Sequence, residues 1–278
     1  RSEGKNSPAD VILMVDAARL WRAEIDGLFQ PIQSKVLDTR IPKNFRSNDI
    51  GQGSQWFGFS SRARVIVYDK ASINPKTIDT YEKLAEPANK GKVCTRSGSH
   101  PYMLSLIGAM YELQGEAKTE AWAKGMVANM ARAPKGGDTD QIRAVASGEC
   151  GVVLTNSYYL ARLMRSTKPA DMQVVAKVGL IWPNQNGSGT HMNISGGGVA
   201  SNAPNKAAAI KFLEYLASDS AQQYFANGNN EWPIVKSVKT SNEALNKLGS
   251  FKQENVSIAS IGKNQIHAQK ILDRVSYK

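Results

Sequence analysis

Three short apolar runs constrain this chain more than anything else in it. Val11-Ile12-Leu13-Met14-Val15, Val93-Cys94-Thr95 and Val152-Val153-Leu154 each give way to polar residues and then to a segment with helical spacing. Such runs read as strands buried on both faces. Strands that alternate with helices make an α/β protein, with mainly parallel sheets. Ligands of such sheets bind where the carboxyl ends of strands turn into loops and helices. The turns after these runs are therefore where function is to be sought.

Helices follow the runs. Residues 17–29 read as one, after Asp16. Met103, Leu106, Ile107, Met110 and Leu113 share a helical face. That helix is entered through Arg96-Ser97-Gly98-Ser99-His100-Pro101, with Ser99 as N-cap and Pro101 in the first turn. A second helix covers 116–130, and Gly136-Gly137-Asp138 opens a third over 139–146. Asn156 caps a helix over 158–165. Residues 57–68 hold a β-rich segment, 80–84 a short helix and 174–181 a strand. A long amphipathic helix is expected over 205–225 and a last one over 263–275. Gly196-Gly197-Gly198 asks for flexible or tightly packed backbone.

A length of 278 residues suits two domains. The net charge of +11 asks for an anionic partner or a solvated basic surface. The lysines and arginines are scattered, and aromatics do not interleave with them as on a nucleic-acid stacking surface. No apolar run approaches the roughly 18 residues of a membrane span. The opening Arg1-Ser2-Glu3-Gly4-Lys5 carries no apolar leader core, which decides nothing about compartment. If their strands are parallel neighbours, Cys94 lies near the end of one and Cys150 at the start of the other. That offset exceeds the roughly 7 Å Cα separation a bridge tolerates, so the two are read as unpaired.

Two strand-to-helix turns carry unusual chemistry. The first apolar run of interest, Val152–Leu154, leads through Thr155-Asn156-Ser157 into Tyr158-Tyr159. Two adjacent aromatics at a helix start are also what a packed core would produce. A phenol ionises near pH 10, so it serves as a metal ligand only for a hard, highly charged cation that stabilises the phenolate. The turn after Val93 supplies Arg96, whose planar fork suits an oxyanion, beside a helix N-terminus, which also favours anions. Tyr102 sits in the first turn of that helix. Three phenolates would offset a trivalent cation, and a small dianion on Arg96 would complete its shell. Oxygen donors suit hard cations, whereas His/Cys sets suit zinc or copper. His100, His191 and His267 are dispersed and read as loop, structural or surface groups. Asp16, Asp138 and Asp140 sit at element ends and read as caps. No nucleophile elbow, phosphate loop, HExxH or dinucleotide fingerprint is present, and the chain is read as no enzyme.

At this point the chain resembles the periplasmic ferric-iron-binding proteins, solute receptors of bacterial iron ABC importers. The resemblance rests on Ser7-Pro8-Ala9-Asp10-Val11 with Val15-Asp16-Ala17, and on Ser61-Arg62-Ala63-Arg64-Val65. It continues through Val93–Tyr102, Gln141–Glu149, Asn156-Ser157-Tyr158-Tyr159, the helical region over 207–225 and Asn230-Glu231-Trp232-Pro233-Ile234. It covers essentially the whole chain.

The resemblance implies a two-domain type II periplasmic-binding-protein fold with a hinge and an interdomain cleft. Residues 1–62 and 195–278 would form the first domain and 63–194 the second. The crossings would fall near residues 60–64 and 193–199. By the same resemblance the family's first βα unit, upstream of Pro8, would be missing from this chain, and with it any ligand that unit supplies. Tyr102, Tyr158 and Tyr159 would be tyrosinate ligands of Fe3+. Arg96 would bind a synergistic carbonate or bicarbonate, with Asn156 near enough to touch the anion. The partner would be an inner-membrane ABC permease, the site of action the periplasm, and the receptor a monomer that binds no nucleic acid. Two other readings stay open: a receptor of the same fold for a small organic or inorganic anion without metal, and a basic nucleic-acid-binding protein.

Overall fold

The computed structural model describes residues 2–278. Among them, seven strands follow in chain order: β1 (Val11–Val15), β2 (Phe57–Asp69), β3 (Val93–Cys94), β4 (Val152–Asn156), β5 (Val178–Ile181), β6 (Met192–Val199) and β7 (Trp232–Pro233). The chain divides into two compact units. The first comprises Arg1–Ser61, Asn193–Asn242 and Val256–Lys263. The second comprises Arg62–Met192, Glu243–Asn255 and Asn264–Lys278. The chain thus passes from one to the other after Ser61 and after Met192, and the C-terminal stretch is shared between them.

In the first unit, β1 pairs antiparallel with β6, Val11 opposite Val199 and Val15 opposite Ser195. The early part of β2 takes β7 antiparallel at Ser60 and Ser61. The three glycines of β6 are a packing requirement. A Cβ on Gly196, Gly197 or Gly198 would come within 2.4, 2.3 and 2.0 Å of the carbonyl oxygens of Phe57, Ile12 and Gln55. Leu20, Leu37, Trp56, Phe57, Ile194 and Leu213 form the buried interior. Asp16 caps the helix Ala17–Ile25, its side chain accepting from the Ala18 amide. The expected long helix over 205–225 is two helices, Lys206–Leu216 and Asp219–Asn229. Ser218 caps the second by accepting from the Ala221 amide. A serine that can bond its own backbone here competes with helix continuation.

In the second unit, the later part of β2 pairs antiparallel with β4, Arg64 opposite Asn156 and Tyr68 opposite Val152. It also pairs antiparallel with β5, Ile66 opposite Ile181. β3 runs parallel to β4, Val93 opposite Val152 and Cys94 opposite Val153. The α/β class stands, but the sheets are mixed rather than mainly parallel. The reason is β2, a strand of 13 residues used by both units, against which β4, β5 and β7 all run. Ile66, Leu84, Val93, Met103, Leu106, Trp122, Leu154 and Ile271 belong to one buried cluster.

Local expectations are corrected here too. Helix Pro101–Asn129 is interrupted at Gly115, whose φ of 80° and ψ of 175° separate the two expected helices. Its N-cap is His100, whose Nδ1 accepts from the Tyr102 amide, and not Ser99. Val174 and Val175 are helical, within Pro169–Lys177; Pro169 starts that helix and the strand begins only at Val178. Cys94 and Cys150 form a disulfide, with Cα atoms 5.9 Å apart. The expected offset requires Cys150 at the start of β4, and it is not there. Instead the Cys150 amide donates to Ala144 O, closing the end of the preceding helix, and the chain bends at Gly151 before the strand starts.

Candidate functional site: a cluster of phenols and guanidiniums

Both notable turns belong to the second unit, at the carboxyl ends of two adjacent parallel strands. β3 leads through residues 95–100 into the helix at Pro101, and β4 leads directly into helix Ser157–Met164. The parallel register brings the two helix starts to one edge of the sheet. There the Tyr102 and Tyr158 hydroxyls lie 2.9 Å apart, within hydrogen-bond distance. The rings of Tyr158 and Tyr159 stack at 4.2 Å with a 31° tilt. The three phenols singled out in the sequence are therefore one group, not three core residues.

Four arginines surround them. Arg62, Arg64 and Arg96 place their guanidinium carbons 5.8, 5.9 and 5.2 Å from the centre of the Tyr102 ring. Arg162 lies 6.0 Å from the Tyr158 ring and 5.4 Å from that of Tyr159. Of these, only Arg96 is expected from the sequence to have a role. A signal for the others was present. Arg62 and Arg64 alternate in an otherwise apolar strand, which puts both on one face. Arg162 stands four and three residues after the tyrosine pair, the spacing of neighbours on a helix.

The carboxylate that accompanies them is Asp138, fully buried at the start of helix Asp138–Ala146. Its Oδ2 accepts from Arg64 Nη1 at 2.6 Å and from the Asn156 amide at 2.7 Å, and its Oδ1 accepts from Arg96 Nη1 at 3.3 Å. Arg64 Nη1 also donates to Asn156 Oδ1 at 3.1 Å, as expected for residues opposite each other in the β2–β4 ladder. Asn156 occupies the N-cap position of helix Ser157–Met164, but its side chain makes no cap hydrogen bond. Asn156 Nδ2 and Arg64 Nε are buried and have no hydrogen-bond partner in the protein. Two donors are thus held out of water beside the phenols, where any acceptor would be welcome.

Burial, more than any other cause, pushes both Tyr102 and Tyr158 above the ordinary phenol range. For Tyr158 the adjoining Tyr102 adds to the rise. For Tyr102 the hydrogen bond with Tyr158 and the Arg62 charge pull the other way. Both phenols are neutral at physiological pH, so a cation binding there must displace protons. The helix N-terminus expected to hold an anion is already engaged, because Pro101 has no N–H, the Tyr102 amide donates to His100 Nδ1 and the Met103 amide to His100 O. An anion in this corner would have to be held by side chains, of which Arg96 is one.

The histidines serve structure. His100 caps its helix and meets Tyr102 edge-on at 4.4 Å. His191 is buried and paired with Glu254, Nδ1 to Oε1 at 2.5 Å. His267 stacks on Tyr111. No group of three His, Cys, Asp or Glu suited to a metal occurs among the described residues. Phenol oxygens and guanidiniums are what this edge offers.

An α/β fold with such a cluster at the carboxyl ends of its strands describes a small-solute receptor. The chain belongs to the family of bacterial extracellular solute-binding proteins, whose model matches residues 6–253. It is 47% identical over 278 residues to iron uptake protein A1 of Synechocystis sp., a match covering 100% of this chain and 76% of that protein. Among solved structures, the IdiA (FutA) protein of Trichodesmium in complex with iron and citrate superposes with a TM-score of 0.95 at 53% identity. That match covers 100% of this chain and 86% of the other. A ferric binding protein from Campylobacter jejuni gives a TM-score of 0.93 at 37% identity, over 100% of this chain and 86% of its own.

Proposed function

We propose that this chain is the ferric-iron receptor of a bacterial ABC importer, acting in the periplasm as a monomer and catalysing no reaction. Tyr102, Tyr158 and Tyr159 supply phenolate oxygens to Fe3+, the cargo. The observation that carries the reading is the 2.9 Å approach of the Tyr102 and Tyr158 hydroxyls from two separate helix starts. Neutral phenols so close need no charge compensation, whereas two phenolates there demand a cation between or beside them. Three phenolates offset the three positive charges of ferric iron. The surrounding arginines then leave the loaded site cationic, which calls for an anion.

Arg96 holds that anion, carbonate or bicarbonate, with Asn156 Nδ2 as a second donor. The names of the relatives support iron as cargo, and the citrate carried by the Trichodesmium structure supports an oxyanion beside it. A loaded receptor delivers its ion to an inner-membrane permease.

The test is optical. Ferric salt added with bicarbonate to metal-free protein gives a broad visible tyrosinate-to-iron band. The band is lost in Tyr158→Phe/Tyr159→Phe and grows in with bicarbonate concentration. An unchanged spectrum on adding iron overturns the reading. Anion binding that persists without any iron binding favours a metal-free anion receptor instead.

A further inference from the structure

We infer that Asp138 is the positioning residue of the anion side of this site, acting through Arg96. The inference rests on the reading just given and extends it to a residue outside the ligand set.

A helix-cap role does not account for Asp138. The local capping contact of its helix belongs to Asp140, whose Oδ2 accepts from the Gly137 amide at 2.7 Å. Both oxygens of Asp138 are instead spent on distant residues, and on different corners of the site. Oδ2 takes the Asn156 amide and Arg64, and so fixes the strand end from which Tyr158 and Tyr159 emerge. Oδ1 takes Arg96, which comes from the other corner. One carboxylate therefore sets the spacing between the arginine and the tyrosine pair.

Arg96 needs such a partner. Its side chain retains 17% of its exposure, unlike Arg64 at 1%, and an arginine that reaches solvent has many rotamers to lose on binding. Asp138 on one side and the Tyr102 face on the other limit that freedom in advance. Only one of the five guanidinium N–H groups is used on Asp138. The rest remain for an oxyanion, which meets a donor fork already oriented. Binding costs fall when the binding group is held in its bound arrangement.

The experiment measures the bicarbonate concentration needed for half-maximal visible colour at fixed ferric iron. It uses the full chain and its Asp138→Asn, Arg96→Gln and doubly substituted forms, each checked for folding by circular dichroism. Asp138→Asn is expected to raise that concentration about tenfold, the size of one charge-assisted hydrogen bond, with the band itself intact at saturating bicarbonate. In the Arg96→Gln background the same change is expected to add much less, because the part of its effect that passes through Arg96 is already lost. A native bicarbonate requirement in Asp138→Asn, or full additivity in the double variant, overturns the inference. A native requirement in Arg96→Gln overturns the anion reading itself, so the two failures are distinguishable. Should Asp138→Asn not fold, Asp138→Glu carries the test. It keeps the charge but shifts the oxygens by one methylene, and a native requirement there is equally fatal.

Discussion

The two corners that meet at the phenols are built in opposite ways. The β3 corner carries a side-chain cap of its own and is tied as well by the chain's C-terminal residues and a disulfide. His100 caps the helix, Ser97 and Ser99 hydroxyls pair at 2.9 Å, the Gly98 amide donates to Lys278 O, and Tyr277 donates to Thr95 Oγ1 at 2.7 Å. The disulfide anchors the corner's first residue, Cys94. The β4 corner has no side-chain cap and is held only by residues of other segments. Asp138 takes the Asn156 amide, Arg64 takes its carboxamide oxygen, and Ser157 Oγ accepts from the Ala63 amide at 3.2 Å. A corner with its own cap and several independent ties tolerates the loss of any one bond. A corner without a cap depends on a few buried groups, and it is the one that carries two of the three phenols.

The sharpest way to break this contrast is at the phenols themselves. Tyr158→Phe/Tyr159→Phe is expected to weaken ferric binding by more than about a hundredfold, beyond the effect of losing a group outside the coordination shell. Competition titration with a chelator checks it. The single Tyr102→Phe removes only the β3 contribution and has a smaller effect.

Next is the remote tie. Asp138→Ala leaves Arg64 buried without its carboxylate, at a cost of about 3–5 kcal/mol in urea unfolding of the metal-free protein. Replacing both cysteines by alanine opens a link that spans 56 residues of sequence. It is expected to cost about 4 kcal/mol if the chain-entropy account holds. The local tie matters less. His100→Ala removes one cap and costs about 1 kcal/mol, with the visible band unaltered. A large loss of colour there would contradict the comparison of the corners.

The smallest effect concerns alkaline pH. Burial, the largest cause for each, raises Tyr81, Tyr158 and Tyr277 above the ordinary phenol range. The folded chain therefore holds protons that the unfolded chain releases near pH 10. This contribution to stability is fully present below about pH 10 and is lost as pH rises toward the folded values. Urea melts of metal-free protein from pH 8 to 11 are expected to show the midpoint falling only above that point. Iron affinity is expected to run the other way in chelator competition from pH 8 to 5, falling on acidification, because each phenolate made must give up a proton.

Much of this was legible in the residues. The apolar runs gave strands and their polar turns gave the helix starts. Tyr102, Arg96 and the tyrosine pair were found because each stands just past a strand end. What stayed hidden depended on pairing between distant segments. Nothing near Asp138 says that both its oxygens reach Asn156, Arg64 and Arg96. The direction of β2 relative to its neighbours is likewise a property of the whole sheet, so sheets expected to be parallel are mixed. Cys150 misled for a related reason. Its fate turned on a bend at Gly151 that shifts it out of the strand.

The central claim is that these three phenols bind ferric iron as phenolates, and resonance Raman spectroscopy of the iron-loaded protein tests it most directly. Excitation within the visible band is expected to enhance tyrosinate ring modes. Those modes should weaken in Tyr102→Phe and weaken furthest in Tyr158→Phe/Tyr159→Phe. Iron bound without enhanced tyrosinate modes, or full enhancement in all the phenylalanine variants, would contradict the account.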